Sequence, residues 1–174
     1  NIDRESPTSM IFDPVNEELE KYFDRLWPIC RSITGDGLRE SLSILGEIIP
    51  LEIIEYPSGT KAFDWEVPRE WNIREAYIET PDGKRVADFS ENNLHVINYS
   101  IPVDKEVDYA ELQDHVRTLP DQPNAIPYIT SYYDRRWGFC LTHIQRQSLK
   151  QGDYHVVIDS EIKPGVLNYA DVVI

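Results

Sequence analysis

Basic residues, cysteine, histidine and long apolar runs are all scarce in this chain of 174 residues. Lys and Arg number 17 against 31 Asp and Glu, a net charge of −14. Nucleic-acid binding needs cations that displace counterions from phosphates, and anionic membrane surfaces need cations for attraction. The charge balance excludes both as partners. No apolar stretch approaches the ~20 residues of a membrane helix, and the start, Asn1-Ile2-Asp3-Arg4-Glu5, lacks the apolar run of a secretory leader. Two cysteines, Cys30 and Cys140, are too few for a disulfide framework or a thiolate zinc site. They read as buried free thiols of a cytoplasmic protein. The four histidines, His95, His115, His143 and His155, show no His-x-His, His-x-x-x-His or His-Glu-x-x-His spacing. Repeats, low-complexity tracts and a Gly-x-Ser-x-Gly elbow are also missing.

What remains is an ordinary globular composition, 41% hydrophobic and 28% charged. After a loose lead-in over residues 1–12, Asp13-Pro14 reads as a helix start, with Asp at the cap and Pro at the first helical position. Val15, Leu19, Tyr22, Phe23, Leu26 and Trp27 follow at helical spacing, and Pro28 stops them. A second helix is predicted from Leu38 to Ile49, ended by Pro50, with Asp36 as its cap. The two should form a hairpin whose stripes meet each other or a sheet. Beyond Leu51 the pattern turns to short strands: 51–56, 76–80, 85–89, 94–100, 126–133, 137–143, 154–159 and 167–174. Pro81-Asp82-Gly83-Lys84 is a hairpin turn between the second and third of these. Residues 61–71 read as irregular, with Phe63, Trp65 and Trp71 as packing aromatics. A third helix starts at Asp108 with Glu111 and runs to Leu119, and a short fourth covers 144–151. The sum is an α+β fold.

Candidate chemistry is sparse. Cys140 and His143 lie three apart on a predicted strand, so they face opposite sides and form no nucleophile–base pair. Gly35-Asp36-Gly37 opens a helix, but Asp36 would repel a phosphate there. His115, on an acidic helix, reads as solvated. One cluster stands out, Tyr132-Tyr133-Asp134-Arg135-Arg136-Trp137, followed by His143. Guanidiniums grip carboxylates and aromatic faces take sugars or peptide groups. Arg135, Arg136, Trp137 and His143 are therefore candidate substrate-binding residues; a turn with locally paired arginines and inward rings is the plain alternative. No residue is a candidate metal ligand or catalytic group.

Five strings carry a family resemblance: Trp27-Pro28-Ile29-Cys30-Arg31-Ser32-Ile33-Thr34-Gly35-Asp36-Gly37, residues 57–65 (Pro57 to Trp65), residues 71–78 (Trp71 to Ile78), Asn93-Leu94-His95-Val96, and residues 132–140 (Tyr132 to Cys140). Together they resemble the N-terminal part of a bacterial family with an aminopeptidase-like domain, some members of which occur among genes for polysaccharide synthesis. The resemblance implies a parent with a zinc-exopeptidase α/β fold and a β-rich domain of unknown function inserted near its N-terminus. Residues 13–56 would supply the parent's first helices and first strand, 57–160 the insert, and 161–174 the start of the core sheet. The apolar run Val172-Val173-Ile174 would then be a core strand cut ahead of the catalytic loop. The family's metal ligands begin with a Cys-His-Pro segment, which this sequence lacks. The resemblance therefore places no ligand on any residue here. It implies zinc in the full-length parent, no cofactor and no activity in this piece, and the rest of its own chain as partner. The insert would cap the substrate cleft. A carbohydrate- or peptide-binding module without chemistry, or a structural or oligomerising insert, are the other readings.

Overall fold

The computed structural model describes residues 14–132 and 134–172. The lead-in, the Asp13 cap, Tyr133 and the Val173-Ile174 strand end lie outside the described residues. Pro14 opens the first helix, α1 (Pro14–Leu26), where its missing N–H matters least. The second, α2 (Asp36–Leu45), buries Ser41 and Ile44. It stops short of the predicted Ile49, because the N–H groups of Gly46, Glu47 and Ile48 close its last carbonyls in tight turns. Arg25 joins the two helices, each of its two terminal nitrogens donating to the Glu47 carboxylate at 2.6 Å. The α2 stripe is covered at Ile44, while much of the α1 stripe stays open. Leu19 and Phe23 of α1, and Trp27 just after it, are 49%, 69% and 71% exposed.

The next strand, β1 (Glu52–Pro57), leads to a small hairpin, β2 (Lys61–Ala62) with β3 (Trp65–Glu66). That hairpin corrects the irregular reading of 61–71. It also corrects the aromatic packing, since Phe63 at its tip is fully exposed and only Trp71 is buried. Then come β4 (Glu70–Glu79) and β5 (Arg85–Val86), joined by the predicted turn, in which Gly83 takes φ 76° and its N–H donates to Thr80 O at 2.8 Å. Residues 94–100 are not a strand. Asn93–His95 form a 3-10 turn, and Tyr99 sits at φ 67°, which breaks an extended run.

A further strand, β6 (Val103–Asp108), feeds α3 (Tyr109–His115), whose first N–H groups include that of Glu111 donating to the Asp108 carboxylate at 2.8 Å. The helix ends four residues before the predicted Leu119. Val116 is needed buried in a strand, β7 (Val116–Arg117), that pairs in parallel with β8 (Phe139–Cys140). The predicted strands 126–133 and 137–143 shrink to β8 and a single bridge at Thr130. Their backbone groups bond to the 97–101 segment instead, for example Ile97 N–H to Gly138 O and Ile101 N–H to Arg136 O, both at 3.0 Å. Short α4 (His143–Ser148) carries a capping box from Thr142 and Gln145. Long β9 (Asp153–Lys163) and then β10 (Val166–Asp171) close the chain.

Four of these strands form an antiparallel sheet in the order β5-β4-β9-β6. One face is apolar: Tyr154, Val156 and Ile158 of β9 alternate inward beside Ala76 and Ile78 of β4. Leu112, Val116, Phe139, Leu141, Trp71 and Tyr99 complete that core. Separately, β1 and β10 form a two-stranded antiparallel ribbon, Glu52 opposite Asp171 and Pro57 opposite Val166, with Tyr56 stacked on Tyr169 at 5.8 Å. The fold is α+β.

Candidate functional site

Two junctions bind the sheet to its flanking segments. At the first, Glu70, 5% exposed at the start of β4, accepts from Arg39 of α2 at 2.6 and 3.0 Å, from Asn72 Nδ2 at 3.1 Å and from Val166 N–H of β10 at 3.4 Å. The Arg39 guanidinium, against the cost of burial, holds the Glu70 carboxyl down at about 2. Asn72 also caps α2: Asp36 N–H donates to its Oδ1 at 2.7 Å. The predicted Asp36 cap is therefore corrected. Asp36 is the first helical residue, and its carboxylate pairs with Arg39 instead. At the second junction the buried Tyr99 hydroxyl meets Thr34 Oγ1 at 2.6 Å, and Trp71 N–H donates to the same Thr34 oxygen at 3.2 Å. The Tyr99 ring stacks on Trp71 at 5.8 Å and meets the edge of Tyr132 at 5.0 Å.

Beside this second junction opens a cleft of about 510 Å³ between the β2–β3 hairpin, the 131–135 loop and the turn after β9. Tyr99, Tyr132, Arg69 and Arg135 line it, with Glu66 and Asp134. A smaller cleft of about 210 Å³ lies among Trp27, Cys30, Arg31, Asn93, Asn98 and Tyr128.

The predicted site residues part ways. Arg135 is exposed at the larger cleft. Exposed Arg136 turns its Nη2 to Thr130 O at 3.1 Å. Trp137 points inward. His115 stacks on its ring with centroids 3.5 Å apart, Lys105 Nζ lies 5.3 Å from its centre, and Phe139 meets its edge. Neither ring face is left for a ligand, because the parallel β7–β8 pair draws this segment into the core. His115 is correspondingly not solvated: its Nδ1–H donates to Trp137 O at 3.0 Å. His143 starts α4 and shares a 3.1 Å hydrogen bond with Thr118 Oγ1. Arg69 and Tyr99 carry no sequence motif, and only the fold brings them to the cleft.

Thiol and metal chemistry find little purchase. Burial pushes the Cys140 thiol up to about 12 and the Cys30 thiol to about 11, and both are free. Neither is a thiolate at neutral pH, so neither is a nucleophile or a ready metal ligand. His95, wholly inside, spends its Nδ1–H on Cys140 O at 2.8 Å. Among the described residues no group of three His, Cys, Asp or Glu side chains is arranged to hold a metal ion. No helix among the described residues is long and apolar enough to cross a membrane.

A family model described as a domain of unknown function, DUF2172, matches residues 70–161, more than half of the chain. The chain belongs to the DUF2172 family. The matched DUF2172 region starts at the first residue of β4 and takes in the whole four-stranded sheet almost to the end of β9. A protein of Clostridium acetobutylicum described as a "putative polysaccharide biosynthesis protein with aminopeptidase-like domain" is 49% identical over 154 residues, which is 88% of this chain and 36% of that protein. A crystal structure described as a "putative peptidase" from Clostridium acetobutylicum matches with a TM-score of 0.85 and 49% identity, over 90% of this chain and 37% of that one. The chain thus spans little more than a third of the length of these relatives.

Proposed function

We propose that this chain is the N-terminal part of an aminopeptidase-like hydrolase, with its DUF2172 region forming a wall or cap of the substrate cleft. The observation that carries the reading is the 49% identity, over almost the whole of this chain, to longer Clostridium acetobutylicum sequence and structure matches that are described in peptidase terms. Two features of the chain support it. The α1 stripe and the β1–β10 ribbon present Leu19, Phe23, Trp27, Ile53 and Tyr169 to solvent, a surface suited to burial under a larger body. A lone two-stranded ribbon is marginal in water and gains stability from further strands or a covering helix. The remaining two-thirds of the polypeptide would supply that cover, the zinc ligands and the attacking water, with the metal acting as Lewis acid.

The test compares the full-length protein with the 174-residue chain. The full-length protein is expected to hold stoichiometric zinc and to release p-nitroaniline from aminoacyl anilides, and the shorter chain to do neither. Stoichiometric zinc on the shorter chain would overturn this division of labour. A full-length protein that binds no metal and cleaves no aminoacyl anilide or peptide would overturn the hydrolase reading.

A further inference from the structure

The arginines of this acidic chain are almost all occupied. Of those described, Arg25, Arg39, Arg74 and Arg85 pair with carboxylates. Four others bond to backbone or amide oxygens: Arg31 to Leu26 O, Arg117 to Asp114 O, Arg136 to Thr130 O and Arg146 to Gln113 Oε1. Arg69 and Arg135 are the exceptions. Among the described residues neither guanidinium forms an ion pair or a hydrogen bond, although acids outnumber bases 31 to 17. Both line the same 510 Å³ cleft.

We propose that this cleft binds a small ligand through its carboxylate, held by Arg69 and Arg135 with the ligand's body against Tyr132. Each guanidinium offers a planar fork of donors that matches a carboxylate edge. The volume falls within the range of small-molecule sites. The floor is built rather than incidental. Tyr99 is 1% exposed at φ 67°, a conformation costly for a bulky residue, and persists because Trp71, Thr34 and Tyr132 hold it. That constraint fixes the Tyr132 ring at the cleft. The charge of the occupant follows from its surroundings. Glu66 and Asp134 share the cleft, and the whole molecule carries −14. The two guanidiniums and the two acids nearly cancel in a molecule of net negative charge, so a monoanionic carboxylate gripped by the forks is opposed less than a dianion such as phosphate. A sugar acid and a peptide C-terminus both present that carboxylate on a body able to lie on an aromatic ring. The site is a property of this chain, so its failure would leave the peptidase reading standing.

Calorimetric titration of the chain tests it, with D-glucuronate against D-glucose, with the dipeptide Ala-Tyr against its C-terminal amide, and with inorganic phosphate. Saturable binding of glucuronate without glucose assigns the carboxylate to a sugar acid. Binding of Ala-Tyr without its amide assigns it to a peptide end, and binding of both acids assigns recognition to the carboxylate itself. Arg69→Gln and Arg135→Gln are each expected to weaken binding by about tenfold or more. Both positions are exposed, so circular dichroism should be unchanged. Arg74→Gln, which removes a partner of Asp159, is expected to bind like the parent. Binding of neither acid, binding of phosphate alone, equal binding of the neutral analogues, or affinity unmoved in both cleft variants would each overturn the proposal.

Discussion

Replacing Glu70 by Gln isolates the ion pair at the root of the sheet. The side chain keeps its shape and loses its charge and one of its two acceptor oxygens, so the amide oxygen keeps one half of the Arg39 fork while the amide NH2 faces the donors on the other half. Arg39 is not stranded, because Asp36 still pairs with it at 2.5 Å. The measured loss therefore belongs to Glu70 rather than to an orphaned guanidinium. The Glu70 carboxyl falls from its usual 4.5 to about 2 in the folded chain. At 1.36 kcal/mol per pH unit of difference this corresponds to about 3 kcal/mol. Arg39 is 34% exposed, and solvent screening trims the figure to about 2 kcal/mol. A depressed carboxyl stabilises the fold fully above its unfolded value and loses that contribution as pH falls. The Gln variant should thus unfold at lower urea concentration at pH 7, converge on the parent between pH 4.5 and about 2, and coincide with it below. Several other carboxyls are also held low, including Asp88 and Asp159, so the parent's own acid sensitivity is not diagnostic. Only the difference between the two proteins isolates Glu70. Equal stability at pH 7, or a gap that stays constant down to pH 2, would refute the electrostatic account.

Gly35→Ala tests the close approach at the start of α2. A Cβ there meets Trp71 O at 2.4 Å, and φ is 99°, so a loss of about 1–3 kcal/mol or more is expected from thermal unfolding. Leu112→Ala, at a wholly buried position of α3, should cost about 2–5 kcal/mol by urea unfolding with an unchanged m-value. With the two thiols pushed up to about 11 and about 12, native protein at pH 8 should react slowly with Ellman's reagent and promptly once denatured. Rapid labelling of Cys140 in the native state would contradict its burial, whereas Cys30 is only half-buried.

Local chemistry read well from the sequence wherever the signal was local. Pro14 and Pro28 bracket α1, the Pro81–Lys84 turn sits between β4 and β5, and Asp108 caps α3. The errors cluster where a distant partner decides the outcome. Residues 94–100 and 126–133 alternate like strands, yet they bond to each other and to 136–138 as irregular segments around Tyr99. Val116 and Val172 look alike in composition, but one is drawn into the β7–β8 pair and the other lies exposed. The aromatic–arginine cluster held the same ambiguity. Its described members divide between solvent, where Asp134, Arg135 and Arg136 lie, and core, where Trp137 lies, so adjacency in sequence put Arg135 at a cleft and Trp137 under His115. Arg69 was beyond reach because nothing about Val67-Pro68-Arg69 is distinctive until the fold lays it opposite the 131–135 loop.

The placement of Glu70 and Tyr99 bears on why such a sheet is carried between α2 and β10 at all. Glu70 takes bonds from α2 and from the start of β10, and Tyr99 reaches Thr34 just ahead of α2 while its ring braces Tyr132. These are the tethers between the sheet and the segments expected to enter the larger body. One leads directly to the cleft wall. A rigid joint of this kind transmits position: an occupant pressing on Tyr132 presses on a packed Tyr99 and, through Thr34, on the entry to α2. A flexible linker would leave the cleft's orientation free. Two hydrogen-bonded joints instead hold Arg69 and Arg135 at a set distance from α2 and the β1–β10 ribbon, which the proposed role as a wall of a substrate site would require.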